Sequence, residues 1–115
     1  MTRARRLLFL AMLAAPACGG PLHPVTSADV DLAAVRFPGT TRAELEAGRK
    51  LTLSHCARCH RPFEPEEFRA DAWPALVREM KKPAGLDDEE EALVVRYLTI
   101  AAEAGLRKRS AKQEP

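Results

Sequence analysis

The 115-residue chain has no strand-like run, no internal repeat and no apolar stretch long enough to cross a bilayer. Without strand alternation, its regular structure is read as helical. Without a repeat, one domain is all that fits. Its early apolar stretch, Leu7 to Ala15, has nine residues, where a spanning helix needs about 20. It also lacks a surplus of either charge: 18 Lys and Arg stand against 16 Asp and Glu, for a net +2. No basic patch argues for nucleic acid. Cysteine is scarce, with three residues, an odd number.

Two of the three cysteines sit in the run Cys56-Ala57-Arg58-Cys59-His60. A Cys-x-x-Cys pair followed at once by histidine is the attachment signature of a c-type haem. Each thiol adds to one porphyrin vinyl, and one turn of chain matches the distance between the vinyls. The next residue then lies under the iron, so His60 can supply an axial imidazole. Two other readings of the pair are open. A thioredoxin-like redox couple usually sits beside a βαβ pattern. A structural zinc site needs four ligands, and beyond Cys56, Cys59 and His60 only His23 and His55 are available, at the wrong spacing.

The N-terminus fits export. Arg3, Arg5 and Arg6 precede the apolar stretch, and Ala15-Pro16-Ala17 offers small residues before Cys18. Residues 1–17 read as a secretory signal peptide, as covalent haem attachment outside the bacterial cytoplasm requires. Cys18 is then the third cysteine and the first mature residue. Its position resembles a bacterial lipoprotein signal, which implies lipid on Cys18 and attachment to the periplasmic side of a membrane. Ala15 stands where such signals prefer leucine, and Ala15-x-Ala17 also suits ordinary signal peptidase. The alternative is a soluble periplasmic protein with a free thiol.

Cleavage removes three of the 18 basic residues and no acidic one, which leaves a net −1. The mature stretch, 18–115, holds one small domain whose core is marginal by itself, so folding is expected to depend on haem. Residues 18–40, with three prolines and glycines at 19, 20 and 39, read as a lipid-anchored linker. Within it, acidic and apolar residues alternate over 28–37 and could pack on the domain. The domain itself is read over 41–104. Residues 105–115, with Arg107, Lys108, Arg109 and Lys112, read as a basic, disordered tail.

Three helices are expected in the domain. The first starts at a capping box, Thr41-x-x-Glu44, and runs through Gly48 toward Cys56. Glycine costs a helix about 1 kcal/mol against alanine, so Gly48 points to the close approach of another helix. A middle helix is expected from Asp71 as N-cap, with Pro74 in its first turn. Trp73, Leu76, Val77 and Met80 form its apolar face, and Pro83 and Gly85 end it. A last helix is expected from a second capping pattern, Asp87-x-x-Glu90, with Leu93, Val94, Tyr97, Leu98 and Ala101 buried and Gly105 as its stop. Phe63 and Phe68 are candidates to line the haem, and a carbonyl near Pro62 to accept the Nδ1 proton of His60.

This order of parts resembles the small monohaem class I cytochromes c over about Thr41 to Glu103. The resemblance implies an all-α domain of three to four helices around one covalent haem c and its iron. It implies that the first and last helices cross at Gly48 and Tyr97. The segment from Met80 to Glu90 is similar to the ligand loop of short bacterial cytochromes, which implies Met80 as second axial ligand. The stretch from His60 to Met80 is shorter than in that family, so Met80 as a core residue is an open alternative. Met80 is nevertheless the only methionine left after cleavage. The alternatives are a vacant or water-filled iron position, or His23 or another residue; His55 is tied beside the attachment site, and Lys81 and Lys82 are adjacent but would need deprotonation. The function expected is electron transfer between redox protein partners at a membrane, not enzyme catalysis. The alternatives are a sensor or catalyst for gas or peroxide with an open iron position, or a redox subunit of a larger complex.

Overall fold

The computed structural model describes residues 22–114; the expected signal peptide and Cys18 lie outside them. Four helices follow in order: α1 (Ser27–Arg36), α2 (Arg42–His55), α3 (Trp73–Ala84) and α4 (Asp88–Gln113). Three single 3-10 turns, Cys56–Arg58, Pro65–Glu67 and Ala70–Ala72, lie between α2 and α3. Among the described residues there is no strand. The fold is all-α, as expected.

The caps explain the helix starts. Thr41 Oγ1 accepts from the Glu44 N–H at 3.2 Å, and the Glu44 carboxylate accepts from the Thr41 N–H at 2.8 Å. Asp87 and Glu90 make the same reciprocal pair at 2.8 and 3.0 Å. Each box satisfies two backbone donors that a helix start otherwise leaves bare.

Helix α3 departs from expectation at its start. Asp71 is not its N-cap but lies in the preceding 3-10 turn. The Arg69 guanidinium grips both carboxylate oxygens, at 3.1 and 3.0 Å, so that carboxylate is taken before it can cap. The end of α3 is set by Gly85 at φ 70°, with Leu86 N–H donating to Lys81 O at 3.0 Å and Gly85 N–H to Lys82 O at 3.2 Å. That is a Schellman closure, which needs the left-handed conformation glycine tolerates. Pro83 stays inside the last turn.

Two expected boundaries are corrected. The stretch read as a linker, 18–40, is ordered from Leu22 onward. Leu22 and Val25 are buried, and their strap is held by side chains of α2 and α4. Arg49 donates to the carbonyls of Leu22 and His23, Arg42 to that of Val25 at 2.9 Å, and the Tyr97 hydroxyl to that of His23 at 2.6 Å. Burial pushes the Tyr97 phenol above its usual range. After the strap, α1 starts at a third capping box, Thr26 with Asp29. The Asp29 carboxylate is almost fully buried and accepts from Thr26 N–H, Thr26 Oγ1 and His23 Nε2 at 2.7 to 2.9 Å.

The other correction concerns Gly105, which does not stop the last helix. Helix α4 continues to Gln113, so residues expected as a disordered tail are helical. A Cβ on Gly105 would lie 3.0 Å from Glu66 Cβ. The glycine marks a close approach of the Pro65–Glu67 turn. Beyond it, Arg107 pairs with Glu103 at 2.7 Å and Arg109 with Glu66 at 3.5 Å.

Helix α4 is the column of the domain. Tyr97 through Ala102 are all buried, because α1, α2, α3 and the two later 3-10 turns pack around it. A helix apolar on every side belongs inside a core. Its tightest contact is with α2, where a Cβ on Gly48 would stand 2.8 Å from both the Leu93 carbonyl carbon and Tyr97 Cβ. The crossing at Gly48 and Tyr97 that the resemblance implied is there.

Candidate haem site

The attachment run begins where α2 ends. His55 is the last residue of α2, and Cys56–Arg58 tightens into a 3-10 turn. Cys56 is half-buried, while Ala57, Arg58, Cys59 and His60 are exposed. Both cysteines are free thiols. Burial raises the Cys56 thiol above its usual value, which keeps it protonated at neutral pH.

Cys56 and His60 line an apolar hollow that is nearly closed, with about 10 Å³ of free volume. Helix α2 contributes Thr52, the loop Pro62 and Phe63, α3 Trp73 and Met80, and α4 Leu98. The Thr52 hydroxyl donates to Gly48 O at 2.9 Å, so it is satisfied within its own helix and the wall stays apolar. Three sequence-derived candidates, Cys56, His60 and Met80, thus converge on one space. Cys59 is not part of its lining and is exposed, as are Ala57 and Arg58. Of the two phenylalanines expected to line it, Phe63 does. Phe68 stands behind, edge-on to Phe63 at 5.4 Å and to Trp73 at 5.3 Å.

The His60 ring carries its proton on a defined nitrogen. Nδ1 lies 2.7 Å from the Arg61 carbonyl oxygen. A carbonyl can only accept, so Nδ1 bears a hydrogen, and in the neutral ring the lone pair is then on Nε2. That is the tautomer an iron ligand needs. The acceptor was expected near Pro62, and it is the residue before it. Phe63 packs against the imidazole at 5.1 Å with the rings tilted 46°.

Other candidate ligands are engaged elsewhere. His23 Nε2 lies 2.9 Å from the Asp29 carboxylate, in a separate cavity with Val25, Leu45 and Tyr97. His55 Nδ1 donates to Ala84 O at 3.0 Å, which ties the end of α3 to the attachment turn. Lys81 forms ion pairs with Asp88 and, at 2.7 Å, with Glu91; these raise its pKa further and keep it cationic. The role of His55 was missed in the sequence, because its partner is 29 residues away and no local pattern joins them. The other readings of the cysteine pair find no support. There is no βαβ unit among the described residues, and no group of three or more His, Cys, Asp or Glu there is arranged to hold a bare metal ion.

These residues fit a covalent haem: two unbonded thiols at attachment spacing, an imidazole in the ligating tautomer, apolar walls and a thioether on the facing helix. The hollow, at about 10 Å³, is far smaller than the roughly 300–1,000 Å³ of ordinary ligand sites, so its walls would have to part to admit a haem. A haem attached at Cys56 and Cys59 would lie beside this exposed turn.

No curated protein and no solved structure matches the chain. The sequence profile of the dihaem cytochrome c family matches residues 52–115. That is more than half of the chain, and it takes in Cys56, Cys59, His60 and Met80. The protein therefore belongs to the dihaem cytochrome c family, and is a c-type cytochrome that transfers electrons with covalently held haem iron.

Proposed function

We propose that this chain is a monohaem carrier tethered to the periplasmic face of a bacterial membrane, with His60 and Met80 as axial ligands and redox proteins as partners. The iron supplies the chemistry by passing between ferric and ferrous, and no substrate bond is made or broken. The observation that carries the reading is the convergence of Cys56, His60 and Met80 on one apolar hollow. Cys56 and Cys59 hold the group. His60 presents Nε2, and Met80 offers the soft ligand that favours the ferrous state. Trp73, Phe63 and Leu98 keep water from the buried side. The exposed turn around Cys59 leaves an edge within reach of a partner.

The single Cys-x-x-Cys-His run in this sequence supports one haem. The family's description counts two. That contrast favours, as a second reading, a redox subunit that works beside another haem protein.

The tether would be short. Leu22 is already buried, and four residues of chain after Cys18 reach at most about 14 Å. Lipid on Cys18 would hold the domain against the bilayer and raise its effective concentration near membrane partners. Among the described residues, no helix is long and apolar enough to cross a membrane.

Two measurements test this. The intact mass of the mature chain, extracted from membranes, is expected to show one haem and acyl groups on a chain that starts at Cys18. Two haems, or an unacylated Cys18, would remove that part of the proposal. The ferric protein is expected to show a methionine-to-iron charge-transfer band that Met80→Ala abolishes. Rapid carbon monoxide binding by the reduced wild-type protein, with high-spin features, would instead establish an open-site sensor.

A further inference from the structure

We propose that the Arg61–Glu67 pair is a positioning device for the axial histidine and thereby sets the reduction potential of the iron; this rests on His60 being a ligand. Two contacts orient the imidazole: the Arg61 carbonyl on Nδ1 at 2.7 Å and the Phe63 ring at 5.1 Å. Both come from the loop 61–64. Glu67 pins that loop at its two ends. Its Oε1 accepts from the Arg61 guanidinium at 3.1 Å and from the Glu64 N–H at 3.0 Å. The guanidinium also donates to Pro62 O at 3.3 Å and lies 5.8 Å from the centre of the Phe63 ring.

Glu67 is itself rooted. It closes the Pro65–Glu67 turn, whose Pro65 carbonyl accepts from Trp73 Nε1 at 2.8 Å. On the other side, Glu66 packs at Gly105 of α4 and pairs with Arg109. The Glu64 N–H and the Arg61 guanidinium hold the Glu67 carboxyl below its usual range, so it is ionised at neutral pH.

Arg61 is mostly exposed, and an exposed ion pair adds little to stability. Its consequence lies in geometry. A firm Nδ1–H···O=C bond makes the imidazole a stronger donor to iron, which favours the ferric state and lowers the potential. A loosened loop weakens that bond, and the potential rises.

The test uses the haem-loaded protein with Glu67→Gln, Arg61→Gln and the double variant. Each is read by redox titration, by its circular dichroism, and by the hyperfine-shifted His60 signals in ¹⁵N-histidine-labelled ferric protein. Both single variants are expected to raise the potential at unchanged helix content. The double variant is expected to shift it no more than the larger single one. Bare charge effects would have opposite signs: loss of the anion raises the potential and loss of the cation lowers it. A fall in Arg61→Gln beside a rise in Glu67→Gln overturns the proposal, as do unchanged potentials. The absence of any hyperfine-shifted His60 signal in the wild-type protein would instead remove His60 as ligand, a failure of the underlying reading that the other two outcomes do not share.

Discussion

Gly48→Ala is expected to destabilise the haem-loaded domain by about 2–3 kcal/mol, at the upper end of the usual cost of overpacking. Two opposing effects meet at this position. Alanine favours a helix over glycine by about 1 kcal/mol. Against that, the new methyl would stand 2.8 Å from the Leu93 carbonyl carbon and from Tyr97 Cβ. Leu93 and Tyr97 are on α4, whose backbone is held by the wholly buried segment from Tyr97 to Ala102. Nothing there can yield as the end of a flexible side chain could. The helices must therefore separate, and the Tyr97 bond to the His23 carbonyl separates with them. Gly105→Ala is the internal control. Its nearest neighbours are Glu66 Cδ and Cβ, both at 3.0 Å; Cδ can rotate away, and Cβ needs only a small shift of the Pro65–Glu67 turn. Gly105→Ala is expected to cost clearly less than Gly48→Ala, about 1 kcal/mol or under. Denaturant titration of both variants, with the wild-type m-value retained, measures the contrast. Equal midpoints for the two would show that α2 and α4 do not cross at Gly48.

The helix boundaries that were legible in the sequence were those written in local chemistry. Thr41 with Glu44 and Asp87 with Glu90 announce their helices because a capping box needs only four consecutive residues. Thr26 with Asp29 has the same form, yet the prolines and glycines around it read as a linker. Composition outweighed the cap there, and the strap's real partners, Arg49 and Tyr97, are far away in sequence. Asp71 shows the reverse failure. It has the chemistry of a cap, but Arg69, two residues earlier, competes for the same carboxylate. Gly105 has two possible meanings, helix stop or close approach, and only Glu66 on the facing turn decides between them. At the site, Cys56, Cys59 and His60 are legible because attachment demands fixed spacing along the chain. Met80 could be nominated by elimination, but its place on the same hollow as His60 depends on how α3 packs. The Arg61–Glu67 pair left no signal, since a short surface loop with mixed charges is ordinary in sequence.

Trp73 carries the other large effect, and a graded pair of substitutions separates its roles. Trp73→Ala is expected to cost about 3–5 kcal/mol, as for other large aromatic residues in a core. The side chain is 2% exposed and stands edge-on to Phe68 at 5.3 Å, so little around it can collapse into the space. Trp73→Phe keeps most of the apolar volume and removes one donor, the indole N–H that serves the Pro65 carbonyl at 2.8 Å. An unsatisfied buried acceptor costs about 1–3 kcal/mol, and that is the loss expected on denaturation of the phenylalanine variant. The functional consequence runs along the same bond. The Pro65 carbonyl belongs to the turn that ends at Glu67, and Glu67 holds the loop that orients His60. Trp73→Phe is therefore expected to raise the reduction potential in the same direction as Glu67→Gln, while Trp73→Ala also opens the hollow beside Met80 and weakens the methionine-to-iron band. If Trp73→Phe is as stable as the wild-type protein and its potential is unchanged, the turn is not rooted in Trp73, and the chain of contacts from the core to His60 is broken at its first step.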